Sequence, residues 1–295
     1  METLDYHVNL MAGSLRRRKT KNIGIIIPDS SLTLFAHLTK ILGDFLFEKK
    51  YNSIICSTDY KLKIEIESLN TLRSKMIDGL VIIPARMESK HIEKFIASKI
   101  PIIILDRKLD IEANMVIIDN YHGGFIAAEH LVDYGHKLIG YIDRHIDHSH
   151  SIDRKRGFFA AMEKYGIIKY DNFFIRSKGL SYEDGYNAAK KMLKQKRRPT
   201  AIFGYNDNVA VGVVRAALDL NLKIPKELSI IGYDDMTISN FITPRLTTIH
   251  YPVLKMAKAT VELLLSLIDN TETSIPKTIT VQPRLIIRET TAKIN

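Results

Sequence analysis

Four short strings hold the residues best able to do chemistry. Asp106-Arg107 follows the apolar run 102–105, and Arg154 closes a polar loop after 138–142. Asn206-Asp207 follows 201–204, and Asp234-Asp235 follows 229–233. Carboxylates accept from adjacent hydroxyls, a guanidinium donates in a planar fork, and the Asn amide does both. Such a set suits a polyhydroxylated ligand, and Phe35 offers an apolar face for a sugar ring. Each residue also has ordinary work available. Asp207 is placed to cap the helix that follows it, as is Asp119 or Asn120 for the helix near Gly124, and Asp235 suits a turn. Arg107 and Arg154 resist that reading, because an Arg at a strand end needs a partner.

Other chemistries fit poorly. The chain has no G-x-G-x-x-G after a strand, no G-x-x-x-x-G-K-[ST] and no G-x-S-x-G, so nucleotide and serine-hydrolase loops are missing. His122-Gly123-Gly124 reads as a turn and helix entry rather than an oxyanion loop. The stretch from Asp143 to His150 carries three imidazoles and two carboxylates, but its spacing matches no ordered ligand template. Its expected place is the mouth of a binding cleft. Cys56 reads as a small core hydrophobe. No catalytic residue, metal or cofactor is expected, and the chain is not read as an enzyme.

These residues need a scaffold. Ile/Val-rich runs at 23–28, 53–57, 79–83, 102–105, 115–118, 138–142, 173–176, 201–204 and 229–233 alternate with amphipathic stretches. The stretches lie at 35–49, 61–75, 124–134, 153–165, 182–193, 208–220 and 254–268. Buried β-branched runs linked by helices are the signature of parallel sheets with right-handed crossovers. Gly135, Gly166 and Ser181 sit where helix ends and starts need them. Nine strands exceed one ordinary sheet, so an α/β fold of two doubly wound parallel-sheet lobes is expected, with a ligand cleft between them beyond the strand ends. The expected division is 1–21 as a DNA-binding remnant and hinge, 22–119 with 251–278 as the N-terminal lobe, and 120–250 with 279–295 as the C-terminal lobe.

With 295 residues, 45% of them apolar, the chain can bury a large core. No apolar run approaches the ~20 residues of a membrane span and no signal region opens the chain, so a soluble cytoplasmic protein is expected. The net charge of +10 is concentrated. Arg16, Arg17, Arg18, Lys19 and Lys21 form one basic cluster, the electrostatic footprint of a polyanion partner. A second run, 190–198, reads as solvated surface at a helix C-terminus.

The segment LDYHVNLMAGSLRRRKTKNIGIIIP resembles the hinge helix and first core strand of the lactose-repressor (LacI/GalR) family of transcriptional regulators. IPIIILDR, the R-x-x-G-F of 154–158, AIFGYNDNVAVG, IPKELSIIGYDD, PRLTTIHYP and PRLIIRET are similar, in order and spacing, to motifs of that family's effector domains. The resemblance runs from about Leu4 to Arg288 and implies the periplasmic-binding-protein-like (type I) fold. It also implies sugar contacts at Asp106, Arg107, Arg154, Asn206, Asp234 and His250, in a pocket most like the ribose type. Leu32-Thr33-Leu34-Phe35 stands where many sugar-responsive members have Asn-Pro-Phe-Phe. That departure leaves room for another sugar or a sugar phosphate.

In the family a hinge such as Asn9, Ala12, Leu15 and Arg16 orders on operator DNA as a pair. The leucine wedges into the minor groove, and basic neighbours such as Arg17 sit on phosphates. The helix-turn-helix that should precede it is missing from this chain, and a late start at an internal methionine is the expected reason. The leading expectation is a sugar-responsive repressor of carbohydrate metabolism, allosteric and homodimeric through helices 35–49 and 254–268. The alternative is a solute receptor of the periplasmic-binding type.

Overall fold

The computed structural model describes residues 19–144, 148–269 and 275–294, so the hinge positions Asn9, Ala12, Leu15, Arg16 and Arg17 lie outside the described residues. The chain forms two compact units. Among the described residues, the first comprises those from 19 to 105, 109–116 and 257–279, and the second 106–108, those within 117–256, and 280–294.

The first unit is built on β1 (Asn22–Ile27), β2 (Asn52–Ser57), β3 (Gly79–Ile82), β4 (Ile102–Leu105), β5 (Asn114–Ile118) and β11 (Thr278–Val281), in the order β11-β5-β4-β3-β1-β2. Its helices are α1 (Thr33–Glu48), α2 (Leu62–Ser74) and α3 (Lys90–Ile96). The second unit repeats the pattern. Its sheet holds β6 (Ile139–Arg144), β7 (Phe174–Ser177), β8 (Ala201–Gly204), β9 (Ser229–Asp234), β10 (Thr247–His250) and β12 (Arg284–Ile286), ordered β12-β10-β9-β8-β6-β7. Around it lie α4 (Asn120–Asp133), α5 (Ser149–Lys164), α6 (Tyr182–Leu193), α7 (Asp207–Asp219) and the single turn α8 (Ile238–Phe241). The helix α9 (Val253–Ile268) completes the set.

Parallel pairing follows from two-sided burial. In β1, Ile23, Ile25, Ile26 and Ile27 are buried, and Ile25 stands between Ile55 and Val81 in register. A strand buried on both faces needs apolar residues at every position, and helices must cover both sides. In the second unit β8 pairs in parallel with β6 and β9, whereas β12 runs antiparallel to β10. Its core includes a stacked aromatic floor in which Tyr141, Phe158 and Phe203 have ring centroids 5.1 to 5.3 Å apart.

The helix ends carry the expected signals. Gly135 and Gly166 follow α4 and α5 with φ of +86° and +66°, the left-handed conformation that closes a helix. Ser181 caps α6 and exchanges hydrogen bonds with Asp184.

Three features differ from the sequence reading. The short elements α3, α8, β10, β11 and β12 add to the nine expected strands and seven helices. Helix α5 starts at Ser149 rather than near 153, because Ser151 accepts from the His148 amide and closes its first turn. Helix α4 starts at Asn120 behind the Asp119 cap, so His122-Gly123-Gly124 lies inside the helix and not in a turn before it.

The glycines there serve packing. A Cβ on Gly124 would overlap the Arg154 carbonyl, and one on Gly157 would overlap the Tyr121 carbonyl, so α4 and α5 cross backbone to backbone. Replacing Gly157 with Ala should therefore lower unfolding stability by about 1–3 kcal/mol, the usual cost of overpacking a close contact. Urea unfolding followed by circular dichroism measures it, and an unchanged midpoint would show that the crossing can relax.

Candidate ligand-binding site

The strand order of the second unit reverses beside β6 and β8, and parallel sheets bind ligands beyond the carboxyl ends of strands at such a reversal. Polar residues gather at that edge. Asp143 and Arg144 end β6, Tyr205 and Asn206 follow β8, and Asp234 and Asp235 close β9. Residues 106–108 belong to this unit too. The Tyr251 hydroxyl donates to the Asp106 carboxylate at 2.9 Å, and the Lys108 amide donates to Ser149 Oγ at 2.9 Å. Three of the carboxylates sit in a strained backbone, with φ of +69° at Asp106, +103° at Asp234 and +55° at Asp235. Non-glycine residues persist there only when their surroundings hold them, and such strain concentrates at functional sites.

Arg154 is the hub. It projects from α5, 3% exposed, and its guanidinium carbon lies 3.3 Å from the centre of the Tyr233 ring and 4.7 Å from that of Tyr205. Nη2 donates to Asn120 Oδ1 at 2.8 Å, and Nη1 donates to the Tyr205 carbonyl at 2.5 Å. A buried guanidinium needs such partners. One side chain thus ties α5, α4 and the β8–α7 connection together. Gly123 leaves room for the Tyr233 hydroxyl, which a Cβ there would overlap.

The cap expected of Asp207 is made by Asn206 instead. Asn206 is the cap of α7, accepting from the Val209 amide at 3.0 Å. Asp207 is fully buried one residue later and accepts from the Met236 amide at 2.6 Å, Ser239 Oγ at 2.7 Å and Thr248 Oγ1 at 2.5 Å. It fastens the loop that carries Asp234 and Asp235. Asp207 fails as a cap because its side chain turns inward to these donors. Burial raises its pKa to about 7 against the pull of the three hydrogen bonds. Burial also pushes the Asp234 carboxyl well above the usual range, with Arg154 opposing.

His250 Nδ1 lies 2.8 Å from Asp235 Oδ2, and Arg288 donates to the other oxygen at 2.5 Å, so Asp235 is an ion-pair partner as well as a strained turn residue. Arg107 is buried. The sequence reading counted His150 among the imidazoles of a polar loop; it is buried, with Nε2 at 2.7 Å from the Tyr205 hydroxyl. His148 stacks on it with centroids 5.6 Å apart. Of the predicted residues, Asp106, Arg107, Arg154, Asn206, Asp234 and His250 all belong to this unit. Phe35 belongs to the first unit, on α1, and is buried in its core. Among the described residues no group of His, Cys, Asp and Glu is arranged to hold a metal; His145 and Asp147 lie outside them.

Residues 128–291 match the periplasmic binding protein-like domain family. Over 99% of its length the chain is 32% identical to the HTH-type transcriptional repressor PurR of Proteus mirabilis, covering 86% of that protein. It is 29% identical to catabolite control protein A of Priestia megaterium over 99% of this chain and 88% of that one. The chain belongs to the LacI/GalR family of transcriptional regulators. A LacI-family regulator from Enterococcus faecium, solved with bound ribose, superposes with a TM-score of 0.84 at 27% identity, over 93% of this chain and all of that one. Regulator relatives favour the repressor reading over the solute-receptor alternative.

The Asp207 geometry gives a pH dependence with a definite sign. Its folded pKa, about 7, lies above the ordinary 3.8, so between those values the folded state holds a proton that the unfolded chain has lost. Its contribution to stability therefore falls as pH rises through that window. Asp207→Asn should remove this slope, so the difference in unfolding free energy between variant and parent changes between pH 4.5 and pH 8. A pH-independent difference would show that the carboxyl ionises normally.

Proposed function

We propose that this chain is the effector-binding part of a sugar-responsive repressor of carbohydrate metabolism. Its effector is a hydroxyl-rich ring held at the strand ends of the second unit. The observation that carries this reading is the gathering there of Asp106, Arg107, Arg154, Asn206 and Asp234. In this reading Asp234 and Asp106 accept from neighbouring ring hydroxyls, while Arg107 and the remaining Arg154 donors give to ring oxygens. The Asn206 cap engages Oδ1, leaving Nδ2 to donate. His250 closes the rim. The Enterococcus faecium regulator, with its bound ribose, makes a pentose the first candidate.

The site binds and does not turn over its guest. Ligand would change the spacing of paired hinges, Asn9 to Arg17, on operator DNA and so shift the protein between bound and released states. Such a regulator works in the cytoplasm, and no helix among the described residues is long and apolar enough to cross a membrane. Pairing of two copies would use the exposed apolar residues of the first unit, where Phe47 is 78% exposed and Ile55 51%.

Two measurements test this. Calorimetry with ribose should show binding that Asp234→Ala weakens by at least about thirtyfold, the scale of leaving buried donors unmatched; equal affinity in both proteins would remove Asp234 from the site. Light scattering should show a dimer that Phe47→Glu converts to monomer, and a dimer surviving that change would move the interface elsewhere.

A further inference from the structure

The basic cluster that runs from Arg16 to Lys21 ends inside the described residues, and there two of its cations already have internal partners. Lys19 Nζ donates to Asp269 Oδ1 at 2.8 Å, and the Lys21 ammonium lies 4.1 Å from the centre of the Tyr51 ring. Asp269 stands just past the end of the 16-residue helix α9, where terminal carbonyls and the helix dipole also favour a cation. The pair is open to solvent, its side chains 42% and 55% exposed, so it is weak and exchangeable.

The backbone of the same stretch is held more firmly. Asp78 lies between α2 and β3, and its carboxylate accepts from the Thr20 amide at 2.7 Å and, on the other oxygen, from the Lys21 amide at 2.9 Å. The Thr20 hydroxyl donates to the Met76 carbonyl at 2.7 Å and stands 3.0 Å from Asp78 Oδ1. The Asn52 amide donates to the Lys21 carbonyl at 2.8 Å. Lys21 takes a φ of +57°, which a non-glycine residue keeps only when its surroundings hold it. The clamp needs a carboxylate, because an Asn amide would turn one of the two acceptors into a donor facing an N–H. All of these residues belong to the first unit.

We infer that the two acids act in opposite senses on DNA binding. Asp78 is a positioning residue that fixes the direction in which the chain enters the first unit at Thr20. Asp269 is a competitor that holds the Lys19 ammonium a phosphate would otherwise take. The inference rests on the DNA-binding reading of the hinge given above and adds two residues outside it. Holding two backbone residues in place beforehand removes part of the ordering cost of binding. A lysine already paired with a carboxylate adds less to counterion release than a free one.

The test is anisotropy of a fluorescein-labelled mixed-sequence DNA duplex titrated with the full chain, between about 50 and 200 mM salt. In Asp269→Asn the affinity at low salt should rise at least about threefold, and the slope of log K against log salt should steepen by up to about 0.9 per copy bound, one phosphate contact. Adding Lys19→Gln should cancel that gain. In Asp78→Asn the affinity should instead fall at least about tenfold with the slope unchanged, since no cation is lost. Removing an acid beside a basic segment would by charge alone raise the affinity, so a fall is the signature of positioning. Thr20→Val, which trims the same clamp without touching a charge, should lower affinity in the same sense, and circular dichroism matching the parent shows that each variant is folded. An unchanged slope in Asp269→Asn, or a gain that survives Lys19→Gln, would overturn the competitor role. Parental or higher affinity in Asp78→Asn and Thr20→Val would overturn the positioning role while sparing the DNA reading. Absence of duplex binding in the parent and in every variant would overturn both.

Discussion

The second unit depends on keeping one positive charge dry. Arg154 is enclosed by the Tyr205 and Tyr233 rings and donates to Asn120 and to the Tyr205 carbonyl. A buried guanidinium is tolerable only when its donors are matched, so everything around it is constrained. Helices α4 and α5 must cross at backbone contact, hence Gly124 and Gly157. The β8–α7 turn must present its carbonyl. The aromatic floor of Tyr141, Phe158 and Phe203 supports the ring that lies under the charge.

From that hub the carboxylates are placed by secondary ties. Asp207 holds the loop after β9 through one amide and two hydroxyls, and that loop sets Asp234 and Asp235 at positive φ. Tyr251 holds Asp106. Strained, inward-facing acids next to a buried cation form a preorganised set of acceptors and donors. In the proposed function, a guest that supplies hydroxyls would offset their desolvation on binding.

Much of this was legible in the sequence, for a physical reason. Parallel strands buried on both faces must be apolar throughout, so runs such as Ile102–Leu105 announce themselves. The chemistry then falls on the residue after each run, which pointed to Asp106, Asn206 and Asp234. The missed elements lack those signals. β10 is Thr-Thr-Ile-His with both threonines buried by hydrogen bonding, β12 is three residues long, and α3 is seven residues long with no side-chain cap. His150 was read as part of a polar loop, whereas the Ser151–His148 exchange makes that string a buried helical start. That Asn206 and not Asp207 caps α7 was invisible because both residues can cap, and only Met236, Ser239 and Thr248, distant in sequence, decide which one turns inward.

The central claim is that a hydroxyl-rich guest is held by the strand-end acids and amide of the second unit around a fixed Arg154. A crystal structure of the chain grown with ribose tests it most directly. The account predicts pentose density within hydrogen-bond distance of Asp234 and Asn206, with Arg154 still bonded to Asn120 and the Tyr205 carbonyl. A sugar seated elsewhere, or an Arg154 swung out of its aromatic enclosure, would contradict it.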